Sequence, residues 1–254
     1  MTTSFRRVLS PLAGAPLLLA ALAGCGASAD DARPERRSFG PVGDRLTIVK
    51  DEGDLDVRPA DVDRVQITRR FDRWALVGGE PAASWELNGD RLTLATDCGA
   101  LIGGCAVRYE VLVPRGLALR VEGDNGRVSA TGLTAALGIR TTSGAIAVTG
   151  AAGPLDLRTE NGEVRSSSTR SEQVSAASQN GGVALSFATA PRRVAVTTEN
   201  GEVSVAVPRT AYKVTATSGS GDVRADVPED AAAPRSITAR TDSGAITLTT
   251  AASG

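Results

Sequence analysis

The 254-residue chain carries 28 Lys and Arg against 29 Asp and Glu and has no histidine, for a formal net charge of −1. So even a balance, with no strongly basic half, leaves no electrostatic footprint for nucleic acid. The missing imidazole removes Ser-His-Asp and Cys-His catalysis, and with them every histidine acid, base or metal ligand. Lysine is confined to Lys50 and Lys213, and Ala and Gly are abundant, the composition of a GC-rich genome such as that of an actinobacterium.

At the amino terminus Arg6 and Arg7 precede an apolar run, Val8 to Ala23, broken by prolines and ending in Leu22-Ala23-Gly24-Cys25. This is the three-part layout of an export signal, too short and too interrupted to span a bilayer comfortably. It resembles the lipobox of bacterial lipoproteins, which implies cleavage after residue 24 and a lipid carried on Cys25. An ordinary secretory signal with a chance cysteine is the plainer alternative. Removal of residues 1–24 leaves 26 basic and 29 acidic side chains. Residues 25–39, including GASADDARPERRSF from Gly26, are small, polar and charged without a period of two, and are expected to form a flexible tether.

Residues 40–118 show a loose two-residue period. Leu46, Ile48, Gly53, Leu55 and Val57 have the spacing of the later repeats, and Trp85, Leu87, Asn88-Gly89, Leu92 and Leu94 follow it less well. Arg69 to Glu80 breaks the pattern and is expected to loop out. The region reads as atypical first rungs forming a cap. Within it, Cys98 and Cys105 lie in DCGALIGGC between strand-like segments. With Cys25 lipidated, these two are the remaining pair in an oxidising compartment, and a disulfide there would contribute roughly 2–3 kcal/mol through loop entropy. A metal or redox site is the competing reading. The spacing is not Cys-x-x-Cys, and without histidine no zinc set is completed; no metal and no cofactor is expected.

From residue 119 to 254 a repeat takes over. Seven dipeptides recur at intervals of 18 to 23 residues: Asn125-Gly126, Ser143-Gly144, Asn161-Gly162, Asn180-Gly181, Asn200-Gly201, Ser220-Gly221 and Ser243-Gly244. Two residues after each glycine stands Val or Ile; three before it, six of the seven carry Ser or Thr; seven before it comes Leu, Val or Ile. A period near 20 with matching columns signals a repeat architecture. Apolar residues alternate on each side of the dipeptide, so each unit reads strand, corner, strand. The glycine is expected to supply positive φ at the corner. Two geometries satisfy the pattern: a hairpin, which pairs strands within a unit, and a parallel solenoid, which pairs them between units. Column-wise identity favours stacking. Aromatics are scarce (four Phe, two Trp, two Tyr), so the core must be built from aliphatic and small residues suited to pleated layers. The expected fold is all-β, a right-handed parallel β-solenoid of rungs of about 18–20 residues with Asn/Ser-Gly corners. Thr247 to Thr250 shows no cap, so an open end there is expected to be available for edge pairing.

Glu160, Glu163, Glu199 and Glu202 flank two of the corners, with Asp124 and Asp222 near them, and stacking would align them as an acidic stripe. A solvated rim of turn residues is the plain reading. Calcium binding and carboxylate-only cleavage of polysaccharide are the alternatives, although calcium β-rolls carry a different glycine-rich spacing.

The units Thr142-Ser143-Gly144-Ala145-Ile146 and Glu199-Asn200-Gly201-Glu202-Val203 resemble those of the bacterial putative-adhesin (toastrack-like) β-solenoid family, over about residues 40–250. The resemblance implies a non-catalytic extracytoplasmic domain associated with the cell envelope or membrane-stress signalling, with no catalytic residues to carry over. The expected protein is a lipoprotein, anchored through Cys25 to the outer face of the membrane, whose rigid solenoid meets an envelope protein or cell-wall glycan. A carbohydrate-active β-helix enzyme using the acidic stripe is the alternative. A sensor input domain working through a separate membrane partner is a third.

Overall fold

The computed structural model describes residues 27–40 and 42–251. The expected signal, residues 1–24, and Cys25 lie outside the described residues. Within them the chain forms twenty-one strands and no helix.

The first seven strands are β1 (Pro34–Phe39), β2 (Arg45–Lys50), β3 (Asp54–Ala60), β4 (Val65–Gly78), β5 (Ala82–Asn88), β6 (Arg91–Asp97) and β7 (Ala100–Pro114). The repeats follow as strand pairs: β8 (Ala118–Asn125) with β9 (Val128–Thr131), β10 (Leu137–Ser143) with β11 (Ile146–Thr149), and β12 (Leu155–Asn161) with β13 (Val164–Thr169). Next come β14 (Gln173–Asn180) with β15 (Val183–Phe187), β16 (Arg193–Asn200) with β17 (Val203–Val207), β18 (Lys213–Ser220) with β19 (Val223–Asp226), and β20 (Ser236–Ser243) with β21 (Ile246–Thr250).

The two halves of each unit go to different sheets. One sheet has the order β1-β4-β7-β3-β9-β11-β13-β15-β17-β21-β19, the other β18-β20-β16-β14-β12-β10-β8-β2-β6-β5. Repeat strands pair in parallel between units, Leu137 beside both Leu119 and Leu155 and Asn161 beside Asn180, so the solenoid geometry holds and the hairpin geometry does not. Alternate residues such as Leu119, Val121, Ile139, Leu157, Val196 and Ile237 point between the sheets and are buried, producing one thin aliphatic core. Asn88-Gly89 is the exception. It joins β5 to β6 as an antiparallel hairpin, with Asn88 opposite Arg91, because β5 runs against the other strands of its sheet.

Two expectations are corrected in the first half. Residues 34–39 of the expected tether form β1, paired antiparallel with β4 and burying Phe39 at its end. Residues 69–80 do not loop out: up to Gly78 they continue β4, paired antiparallel with β7 as far as Gly78 opposite Ala100. Their apolar alternation is lost because both faces of the strand are exposed from Arg73 onward. The region nonetheless closes the solenoid, since β2 and β3 form a regular rung beside β8 and β9, while β4 and β5 run in reverse beyond it.

At the other end the order of rungs departs from the order of the sequence. The last unit, β20 and β21, inserts between β16/β17 and β18/β19. Thr247–Thr249 therefore pairs on both sides, and the open end of the stack is β18/β19, where Val223 is 46% exposed. Tyr212, fully buried, lies just before this end rung and donates its hydroxyl to the Pro208 carbonyl at 3.0 Å.

The corner glycines are required less by φ than by stacking. Gly126, Gly221 and Gly244 have φ of +95°, +143° and +146°, but Gly144, Gly162 and Gly201 do not adopt positive φ. What they share is close approach: a Cβ at Gly144 would overlap the Gly126 carbonyl, one at Gly162 the Gly144 carbonyl, and one at Gly201 the Gly181 carbonyl. Gly162→Ala should therefore force two rungs apart and cost about 1–3 kcal/mol, the usual range for overpacking. Urea denaturation followed by circular dichroism would read the loss.

Candidate functional site

The corners hold most of the recurrent polar chemistry, and the structure directs it inward. The Ser/Thr column three residues before six of the glycines is buried except at half-buried Ser218, and five of its hydroxyls donate to the glycine carbonyl of a neighbouring rung, while Thr141 donates to Gly144 of its own rung and to Thr159. Thr159 reaches Gly144 at 3.0 Å, Ser178 reaches Gly162 at 2.9 Å, and Thr198 reaches Gly181 at 2.9 Å. Thr241 reaches Gly201 at 3.0 Å and Ser218 reaches Gly244 at 2.8 Å, which follows the spatial rather than the sequential order. On the outside, Asn180 donates to Asn161 and Asn200 to Asn180 at 2.9 and 3.2 Å, a short amide ladder. Buried polar groups need partners, and here each hydroxyl has one. The corners thus hold rungs together.

The acidic stripe does not assemble as a continuous line. Glu160 and Glu199 lie two rungs apart with Gln179 between them, and Glu163 and Glu202 are likewise separated by Gly182. Adjacent strands lie about 4.8 Å apart, so each like pair is about 10 Å apart along the stack. Glu163 is further occupied by Arg165 at 2.5 Å.

Sequence reasoning missed Lys50. Where the other rungs present Ser or Thr, β8 presents Gly123, and the Lys50 side chain from the neighbouring strand fills that space. Its ammonium, 1% exposed, donates to the Gly53 carbonyl at 2.8 Å and to the Asn125 carbonyl at 2.5 Å. Burial lowers its pKa from 10.5 to about 8, against the opposing pull of Asp54, Asp124, Asp51 and Glu52. The missing hydroxyl at Gly123, opposite a lysine in the first rung, was the available signal. Between pH 8 and 10.5 the folded chain holds fewer protons at this site than the unfolded chain, so stability rises with pH, by up to about 3 kcal/mol over the interval. Buried Tyr109 and Tyr212 have raised pKa values and act oppositely near pH 10, which confines the clean window to pH 8–9.5. Urea midpoints should climb across that window in the parent chain and stay flat in Lys50→Met.

Cys98 and Cys105 are joined as a disulfide, Cα–Cα 5.7 Å, fastening the β6–β7 connection to the start of β7. Glu52 Oε2 lies 3.4 Å from the Cys98 sulfur, but the bonded sulfurs no longer offer two thiolates, so these three side chains form no ligand set in this state. Cys98→Ser/Cys105→Ser should lose roughly 2–3 kcal/mol of stability under oxidising conditions and nothing further on adding reductant, read by the same denaturation assay.

A groove of about 460 Å³ lies on the outer face of the second sheet. Its floor is made of small residues, among them Ala118, Gly138, Ser175 and Ala195, with Arg45 and Arg120 toward one end and Arg193 at the other. From β2 to β16 it crosses five strand spacings, about 24 Å.

The family model described as Toastrack DUF4097 matches residues 108–253, from β7 through the last rung. The chain belongs to the Toastrack family. No curated protein matches it significantly. Among solved structures, a "putative cell adhesion protein" of Clostridium sporogenes ATCC 15579 is 12% identical, covering 86% of this chain and 100% of that one at a TM-score of 0.35. A "putative adhesin" of Parabacteroides merdae ATCC 43184 is 11% identical, covering 87% and 98% at a TM-score of 0.34. The Toastrack match begins at the residue of β7 where its pairing with β3 begins, and leaves out β1 to β6.

Proposed function

We propose that this Toastrack protein is an exported lipoprotein, cleaved after residue 24 and held by a lipid on Cys25 at the outer face of the cell membrane. A short linker leads to a rigid solenoid that acts as a non-catalytic interaction surface, as an adhesin or as a scaffold in envelope stress. The observation that carries this reading is where the polar groups go: the repeated hydroxyls and amides are consumed in rung-to-rung contacts, so the repeat's chemistry is spent on rigidity. The outward face keeps an arginine-flanked groove long enough for an extended partner strand or glycan chain. A carbohydrate-active enzyme built on the acidic stripe finds less support, since its carboxylates stand on alternate rungs.

Cys25→Ser should move the protein from the membrane fraction to the soluble fraction, or leave it unprocessed; unchanged membrane retention would sink the anchor. In-cell crosslinking of the full-length chain then identifies what the surface meets. An envelope protein or a glycan captured by the parent, and lost in Arg45→Glu/Arg193→Glu, would locate the contact in the groove.

A further inference from the structure

The strands β4 and β7 continue past the rest of their sheet. Pairing with β1 ends at Arg70, and pairing with β3 begins at Arg108, so residues 71–78 and 100–107 pair only with each other. This two-stranded arm is uncharged from Trp74 to Gly79 and from Gly99 to Val107. Its outer part is exposed on both faces: Leu76 is 76% and Leu101 83% accessible, with Val77, Ile102 and Trp74 also exposed. These are the large exposed hydrophobic side chains of the described residues, apart from Val223 at the opposite end of the stack.

The chain's own path says what covers them. The Ser28 amide donates to Asp72 Oδ2 at 2.8 Å, and Asp30 pairs with Arg108, so residues 28–30 are pinned across the base of the arm. Three peptide steps separate Ser28 from Cys25, a reach of at most about 11 Å. Trp74 is two residues beyond Asp72 and Leu76 four. A lipid on Cys25 would therefore hold the bilayer surface within the length of the arm.

We propose that the β4–β7 arm dips into the membrane interface beside the anchor, a second lipid contact that fixes how the solenoid stands on the membrane. The inference rests on the lipid-anchor reading for its geometry. Apolar exposure on both faces fits immersion in lipid, which surrounds an inserted element, better than docking of a partner, which covers one face. A tryptophan among aliphatic residues suits the interface, where its amphipathic ring is favoured. The disulfide between Cys98 and Cys105 ties down the arm's connection to β6, so the apolar end is presented on a fixed base.

The test uses the full-length lipoprotein reconstituted into phosphatidylglycerol–phosphatidylethanolamine vesicles with or without brominated acyl chains. Flotation and intact mass report the lipid on Cys25, and tryptophan emission reports the arm. The expected result is a roughly two-fold quenching by bromolipid that disappears in Trp74→Phe, as for an aromatic ring at the interface. Flotation with no Trp74 quenching overturns the arm contact and leaves the anchor standing. Should Cys25 carry no lipid, the anchor reading fails, and Cys25→Ser protein mixed with the same vesicles still decides the arm: Trp74 quenching there supports the contact, and none overturns it. A blue-shifted Trp74 that depends on protein concentration and not on bromolipid assigns the arm to a second copy and also overturns it.

Discussion

Successive corners of this solenoid approach so closely that there is no room for a β-carbon between them. The glycine column from Gly53 through Gly126, Gly144, Gly162, Gly181 and Gly201 to Gly244 and Gly221 stacks backbone on backbone, each residue against the carbonyl of a neighbour. That approach would bury a row of carbonyl oxygens, and the hydroxyl column at Thr159, Ser178, Thr198, Ser218 and Thr241 supplies their donors. Glycine and hydroxyl are thus two halves of one requirement. The aliphatic core depends on it, because the sheets stay in register only where the corners do.

The first rung meets the same requirement with different atoms. Gly123 has no hydroxyl, and Lys50 threads its ammonium into the gap to serve two carbonyls at once. A charged group thereby replaces a neutral one at the boundary between ladder and cap. Beyond it β6 and β7 still pair in parallel, β4 and β5 run in reverse, and the repeat gives way to the pinned N-terminal segment, the disulfide and the apolar arm.

The repeat was legible because stacking demands the same residue at the same height, and Val128, Ile146, Val164 and Val183 advertise that in one dimension. Three features were not legible, each for a physical reason. The Asn88-Gly89 dipeptide is identical to a corner, and only the direction of β5 makes it a hairpin. The stretch from Arg73 to Gly78 lacks alternation because an arm wet on both faces imposes none. The order of the last two rungs is hidden because Ser220-Gly221 and Ser243-Gly244 present the same columns, so each fits either slot. The positive-φ account of the corner glycines failed at Gly144, Gly162 and Gly201 because a single chain shows conformation but not the neighbour pressed against it.

The inserted final rung has a consequence for how the molecule is made. A solenoid laid down in chain order can add each turn as it leaves the ribosome, since the edge it needs already exists. Here the sixth turn has no permanent seat until the seventh, ending at Thr250, has been synthesised and has settled on β16 and β17. The edge that waits for it carries the same columns that the sixth turn offers, so vectorial growth brings the wrong neighbour first. The stack is completed by an insertion between two turns rather than by an addition at its edge.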